Sequence, residues 1–191
     1  MMKWWHLIGM VLLAAGCSRA PDGVLQVAVT DASGTPLPDA IVAVEYHGNM
    51  RHAYARTDSR GIANVLLEDS LGNAGGTEVT AVHPRYLHRG TLGVPADTPA
   101  VIRLPLLHDM QAYQHDTQTP ASSEYAWENY RFNMQLLQSY ARQVPGLDLA
   151  LAAGEHRQVL AELQRAYPLP ADHRLARACS ALVDNMENGG G

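Results

Sequence analysis

The run Val24-Leu25-Gln26-Val27-Ala28-Val29-Thr30-Asp31-Ala32-Ser33-Gly34-Thr35-Pro36-Leu37-Pro38-Asp39-Ala40-Ile41-Val42-Ala43-Val44 decides the fold. Leu25, Val27 and Val29 alternate with more polar residues, the period of a strand with one buried face. Asp31 to Gly34 is a turn cluster. Pro36 and Pro38 hold the next residues extended and unable to donate to a ladder. Val42, Val44 and Tyr46 then share one face of a second strand. Working outward, residues 52–57 predict a third strand. Asp58-Ser59-Arg60-Gly61 predicts a hairpin turn in which Gly61 takes a positive φ, and residues 62–67 a fourth strand with Ala63, Val65 and Leu67 on one face. After a Gly-, Asn- and Ser-rich loop at 68–76, strands are expected over 77–83, 87–94 and 100–106. Seven short strands with polar turns argue a two-sheet sandwich.

The same residues carry a resemblance. Gly34-Thr35-Pro36-Leu37-Pro38-Asp39-Ala40-x-Val42-x-Val44, then Thr57-Asp58-x-x-Gly61, then Pro84-x-Tyr86, resemble a carboxypeptidase regulatory-like domain. The family pattern has Gly where Asp39 stands, an aromatic where Ala63 stands, and Gly where Arg85 stands. The resemblance covers residues 24–107 and implies a transthyretin-like β-sandwich. Such modules serve as accessory domains of peptidases, as extensions of outer-membrane transporters and as envelope scaffolds, and most carry no catalytic residues of their own. A fold of this kind does not assign an activity.

Ahead of the sandwich, Lys3 precedes an apolar run, Leu7 to Ala15, that is too short to span a bilayer and suits the core of a signal peptide. It ends Leu13-Ala14-Ala15-Gly16-Cys17, which resembles the lipobox of bacterial lipoproteins. The resemblance implies cleavage between Gly16 and Cys17 and lipidation of Cys17. Several acyl chains on one residue give stable anchoring. Ser18 after the cysteine implies, by the same resemblance, the outer membrane, with the folded part on its periplasmic side. The expected organisation is signal peptide 1–16, tether 17–23, sandwich 24–107, linker 108–121 and helical extension 122–191.

In the extension, Ser122 or Ser123 caps a helix. Trp127, Tyr130, Met134, Leu137, Ala141 and Val144 recur at helical spacing, and Pro145-Gly146 ends the run. A second helix is expected from a cap at Asp148 to Tyr167, interrupted at Gly154, with Val159, Leu160 and Leu163 inward. A third is expected from a cap at Asp172, with Leu175, Cys179, Leu182 and Met186 on one face. The fold class is therefore mainly β with C-terminal α: a seven-stranded transthyretin-like sandwich followed by about three helices. These could pack on one sheet or form a bundle beside it.

Composition narrows function by exclusion. The chain has 191 residues, 47% of them apolar, enough for a sizeable core, and a net charge of −5 without any basic stripe, so nucleic acid is not an expected partner. Nine histidines invite a metal site from His83, His88, His108 or His115, but no ligand spacing of the His-x-x-x-His or His-x-x-Glu kind occurs. Scattered surface histidines are the simpler reading. Serine-hydrolase, phosphate-loop and dinucleotide fingerprints are absent from the sequence. Asp31 and Asp58 read as turn residues, and Cys179 as a small buried hydrophobe. No catalytic residue, metal or cofactor is expected. The expected function is a non-enzymatic, outer-membrane-anchored binding or scaffold lipoprotein, held to the membrane through Cys17 and meeting a protein or cell-wall partner. The alternatives are an accessory lipoprotein of a secretion, pilus or transport apparatus, and a hydrolase.

Overall fold

The computed structural model describes residues 23–46, 52–67, 77–94, 99–114 and 122–188. Seven strands lie among them: β1 Val24–Asp31, β2 Ile41–Tyr46, β3 His52–Arg56, β4 Ile62–Leu66, β5 Thr77–His83, β6 Tyr86–Leu92 and β7 Ala100–Leu104. They form two sheets, ordered β4-β1-β7 and β3-β2-β5-β6. Neighbours are antiparallel except β1 and β7, which run parallel with Val27 opposite Ala100. The last strand stops at Leu104 rather than at residue 106. Pro105 has no N–H to continue the ladder, and beyond it Leu106 makes only an isolated bridge to Tyr86.

Between the sheets lies a core of Leu25, Val27 and Val29 from β1, Val42 and Val44 from β2, and Ala63 and Val65 from β4, all buried, joined by Val79, Ile102 and Leu104. These are the alternating positions the pattern selects. Turn chemistry closes one end of the sandwich. Asp31 Oδ1 accepts from the N–H groups of Ser33 and Thr35 at 2.8 and 2.9 Å, and Asp58 Oδ1 accepts from those of Arg60 and Ile62 at 2.9 and 3.0 Å. Hydrogen bonds favour the ionised carboxylate and lower both pKa values, at Asp31 first the bond donated by the Ser33 hydroxyl at 2.6 Å and then that from Thr35 N, at Asp58 first the bond from Ile62 N. Thr57, 4% exposed, fastens the two turns together: its Oγ1 accepts from Ala40 N at 2.9 Å and donates to Leu37 O at 2.7 Å. Asp39 has φ 65, the one positive value at a non-glycine residue among the described residues. The left-handed backbone explains why a glycine suits this position.

Three helices follow: α1 Ser123–Gln143, α2 Ala150–Ala166 and α3 Arg174–Glu187. They pack on the outer face of the four-stranded sheet rather than standing apart. Their core continues into Ile41 and Ala43 of β2, Val82 of β5 and Leu87 of β6. β2 is therefore buried on both faces. Segment 108–121, read as a linker, contributes a 3-10 turn at Met110–Gln114 whose Tyr113 is fully buried in this second core. Its later residues, 115–121, lie outside the described residues.

Helix starts and faces differ from the expectation in detail. Ser122 caps α1, its Oγ accepting from Tyr125 N at 3.1 Å. The α1 face gains Asn133 and Tyr140, while Ala141 and Val144 are only half-buried. Asp148 Oδ1 accepts from Ala150 N at 3.0 Å, but Leu149, in helical conformation, occupies the position before α2. That helix runs through Gly154 without interruption. Ala152, Ala153 and His156 are buried around the glycine, and packing outweighs its cost of about 1 kcal/mol in a helix interior. His173, not Asp172, caps α3, with Nδ1 accepting from Leu175 N at 3.4 Å. The buried face is Leu175, Cys179, Val183 and Met186, and Leu182 is half-buried.

Candidate functional site

The junction of sandwich and helices is built by the chain leaving β7. Leu87 N donates to Pro105 O at 2.9 Å and Leu107 N to Arg85 O at 3.2 Å, so residues 105–107 run beside the β5–β6 turn. Leu107 turns inward, and its carbonyl accepts from Tyr113 Oη at 2.8 Å. Asp109 Oδ1 accepts from Gln111 N at 3.1 Å and starts the 3-10 turn. His108 is left on the surface between two hollows. One, of about 620 Å³, is lined by Arg89, Arg103, Leu106, Asp109 and Gln111. The other, of about 540 Å³, is lined by Met110, Glu162 and Arg165.

A row of polar side chains crosses this junction. Arg85 Nε is 3.1 Å from Glu155 Oε2, Glu155 Oε1 is 3.6 Å from His108 Nε2, and His108 Nδ1 is 2.8 Å from Glu162 Oε2. These side chains are partly exposed, so each pair adds little stability. Arg89 and Arg103 have no carboxylate partner among the described residues. The larger hollow is thus an apolar floor, with Leu104 and Pro105 beneath and two uncommitted guanidinium groups on its walls. Guanidinium matches carboxylate and phosphate in planar, two-point fashion.

Beneath the junction lies a buried polar chain that links three segments. Tyr130 Oη is 3.0 Å from His156 Nδ1, and His156 Nε2 is 2.8 Å from Pro84 O. A carbonyl only accepts, so Nε2 carries the proton and Nδ1 accepts from the Tyr130 hydroxyl. Burial pushes the His156 imidazole down to about 4, against the bond to Pro84 O. His156 is fully buried, which corrects the reading of the histidines as scattered over the surface. The signal for it was available in the spacing Ala152, Ala153, His156, Val159, Leu163, one helical stripe with a histidine in its middle.

The other histidines go separate ways. His83 accepts from Arg85 N at 3.1 Å through Nδ1, and burial lowers it to about 4. His88 is also lowered by burial, and its ring and N–H both bond Asn133 Oδ1. Among the described residues no group of three His, Cys, Asp or Glu side chains could hold a metal ion, and no imidazole nitrogen is hydrogen-bonded to a serine, threonine or cysteine. His115 lies outside the described residues, as do Gly16 and Cys17, the expected cleavage and lipidation site. Cys179 is buried and reduced, its thiol pushed up to about 12 by burial, so it is unreactive. No helix among the described residues is long and apolar enough to cross a membrane.

No protein-family model and no curated protein matches the chain. Solved structures similar to it include a type II cohesin–X-dockerin complex from Acetivibrio cellulolyticus, at 23% identity over 43% of this chain and 51% of that chain, with a TM-score of 0.26. They also include a 9R-lipoxygenase from Cyanothece, at 10% identity over 76% of this chain and 28% of that chain, with a TM-score of 0.30. The chain thus spans about half the length of the first and little more than a quarter of the second. At these scores neither likeness bears on what this chain does.

Proposed function

We propose that the chain is a non-enzymatic envelope lipoprotein, anchored through acyl chains on Cys17 at the periplasmic side of the outer membrane, whose folded part binds an anionic protein or cell-wall partner. In this reading residues 24–107 are a divergent carboxypeptidase regulatory-like module. The left-handed backbone at Asp39 and the tight turn at Gly61 support that assignment, because both stand where the family pattern has turn residues. The observation that carries the binding function is the hollow beside His108, where Arg89 and Arg103 stand over an apolar floor without a carboxylate partner among the described residues. The nine-residue apolar core Leu7 to Ala15, followed directly by Gly16-Cys17, supports the anchor.

Two variants test the two halves. Cys17→Ser is expected to lose incorporated palmitate and to leave the membrane fraction; retention in membranes without label refutes the anchor. Crosslinking in intact cells is expected to give a defined adduct with the native chain and none with the double variant Arg89→Ala, Arg103→Ala. An adduct that survives the double substitution places the partner elsewhere on the surface.

A further inference from the structure

The hollow beside His108 owes its pair of arginines to one irregularity in the four-stranded sheet. In the pairing of β5 with β6, Ala81 stands opposite Arg89 but His83 opposite Tyr86, so Leu87 and His88 both stand against Val82, a β-bulge. Both turn to the helices: Leu87 enters the helical core, and His88 meets Phe132 and Asn133 of α1. Strict alternation would send Arg89 to the same side as Leu87. The bulge returns it to the side of β7, where it lines the hollow with Arg103. The chain after β7 is tied to β6 by the bonds Leu87 N to Pro105 O and Leu107 N to Arg85 O. The register of these bonds leads on toward Arg89 and Arg103.

Two guanidinium groups in one hollow repel each other, and neither has a carboxylate partner among the described residues. An anion held by both offsets that repulsion and matches each in planar, two-point fashion. The rest of the lining selects among anions. Leu104, Pro105 and Leu106 form an apolar strip beside the arginines, and Leu106 is 54% exposed. A bare phosphate would leave that strip in water. Asp109 lines the same hollow and opposes a doubly charged group. Its Oδ1 accepts from Gln111 N and Ala112 N, while its Oδ2 has no hydrogen-bond partner among the described residues. Asp109 and the Gln111 side chain thus supply acceptors for peptide N–H groups. In the last residue of a peptide, carboxylate and side chain diverge from one Cα. A single residue therefore meets the arginines and the apolar strip at once, and a volume of about 620 Å³ holds such a chain end.

We propose that the hollow captures the C-terminal end of a peptide whose last residue is apolar, with the carboxylate held by Arg89 and Arg103 and the side chain lying on Leu104, Pro105 and Leu106. This rests on the reading of the hollow as the binding site and names the anionic group that it takes.

The test follows fluorescence anisotropy with the full chain and the peptide Gly-Ala-Ala-Leu, labelled with fluorescein at its N-terminus, as the free acid and as the C-terminal amide. The free acid is expected to bind, and the amide at least about tenfold more weakly. Arg89→Gln and Arg103→Gln are each expected to weaken the free acid about tenfold, and Arg165→Gln, in the neighbouring hollow, to leave it unchanged. Inorganic phosphate is expected to displace the peptide far less well than the unlabelled acid does. Acid and amide that bind alike, or phosphate that competes as well as the acid, overturn the chain end as ligand. If binding is nevertheless lost in the double variant Arg89→Ala, Arg103→Ala, the hollow stands as the binding site. An acid that binds this double variant as tightly as the native chain, or no binding of either peptide at about 1 mM, also overturns the inference. The crosslink in intact cells is read separately: an adduct that survives the double substitution overturns the hollow as the binding site as well.

Discussion

A methyl group on Gly61 would sit 2.6 Å from Val29 O and 2.9 Å from Leu37 N, both backbone atoms, at a φ of 71. Neither can move without breaking the bonds that close the sandwich, since Val29 N donates to Gly61 O and Leu37 N to Val29 O. Gly34 has φ 89 but open space around it. Gly61→Ala is therefore expected to cost about 2–4 kcal/mol in urea unfolding and Gly34→Ala only about 1 kcal/mol; equal costs would deny the steric role of Gly61. His156 makes a different prediction. Unfolded, its imidazole takes a proton near pH 6.5; folded, only near 4. Between those values the unfolded chain binds more protons, so stability falls as pH falls, by about 1.4 kcal/mol per unit for each such group. Gln at 156 offers both a donor for Pro84 O and an acceptor for the Tyr130 hydroxyl without titrating. His156→Gln is expected to lower the slope of stability against pH between 6.5 and 4 by one proton, while His83 keeps its share. An unchanged slope would mean that His156 is protonated in the fold. The Gly61 turn was legible from Asp58-Ser59-Arg60-Gly61, and the α2 stripe carried a signal for a buried His156; its bond to Pro84 O was not legible, because the β5–β6 turn is 72 residues away in sequence.

At the scale of the element, β1 and β5 contrast. β1 is half-buried in alternation, as its sequence reads, because its outer face meets water. β5 is buried at four successive positions, Val79 to Val82, because the sandwich covers one face and the helices the other. Nothing local in Thr77-Glu78-Val79-Thr80-Ala81-Val82-His83 says that its second face is covered. The consequence is a prediction about the sandwich on its own. A chain ending at residue 107 bares Ile41, Ala43, Val82 and Leu87, a contiguous apolar face of the kind that drives association. It is expected to bind a hydrophobic dye and to self-associate, where the full chain does neither. A monomeric, dye-free fragment would show that the helices are an optional addition. The helical stripe was legible by its spacing, but its seat on the four-stranded sheet was not, because a stripe names a buried face and not the partner that buries it.

At the scale of the whole molecule, two cores share β2 and β5, and Arg56 bridges them from the surface, donating to Asp39 Oδ1 at 2.9 Å and to Gly146 O at 3.1 Å. Cores joined through common strands do not melt independently. Trp127 lies deep in the helical core, 3% exposed, with Nε1 donating to Tyr167 O at 2.8 Å. Trp127→Ala is expected to cost about 3–5 kcal/mol and to lower the unfolding midpoint of sheet and helix signals together; two separated transitions would show that sandwich and helices are separate folding units. The sequence by itself determined the seven strands, their turns, the three helices and the turn roles of Asp31, Asp58 and Gly61, because each rests on periodicity or on residues within one turn. It also carried the expectation of an anchor at Cys17. Only the tertiary structure decided that the helices lie on the β3-β2-β5-β6 sheet, that His156 is buried against Pro84, and that Arg89 and Arg103 line one hollow. Those facts join segments far apart in the chain, and the free energy that brings them together comes from burying faces whose partners no local pattern names.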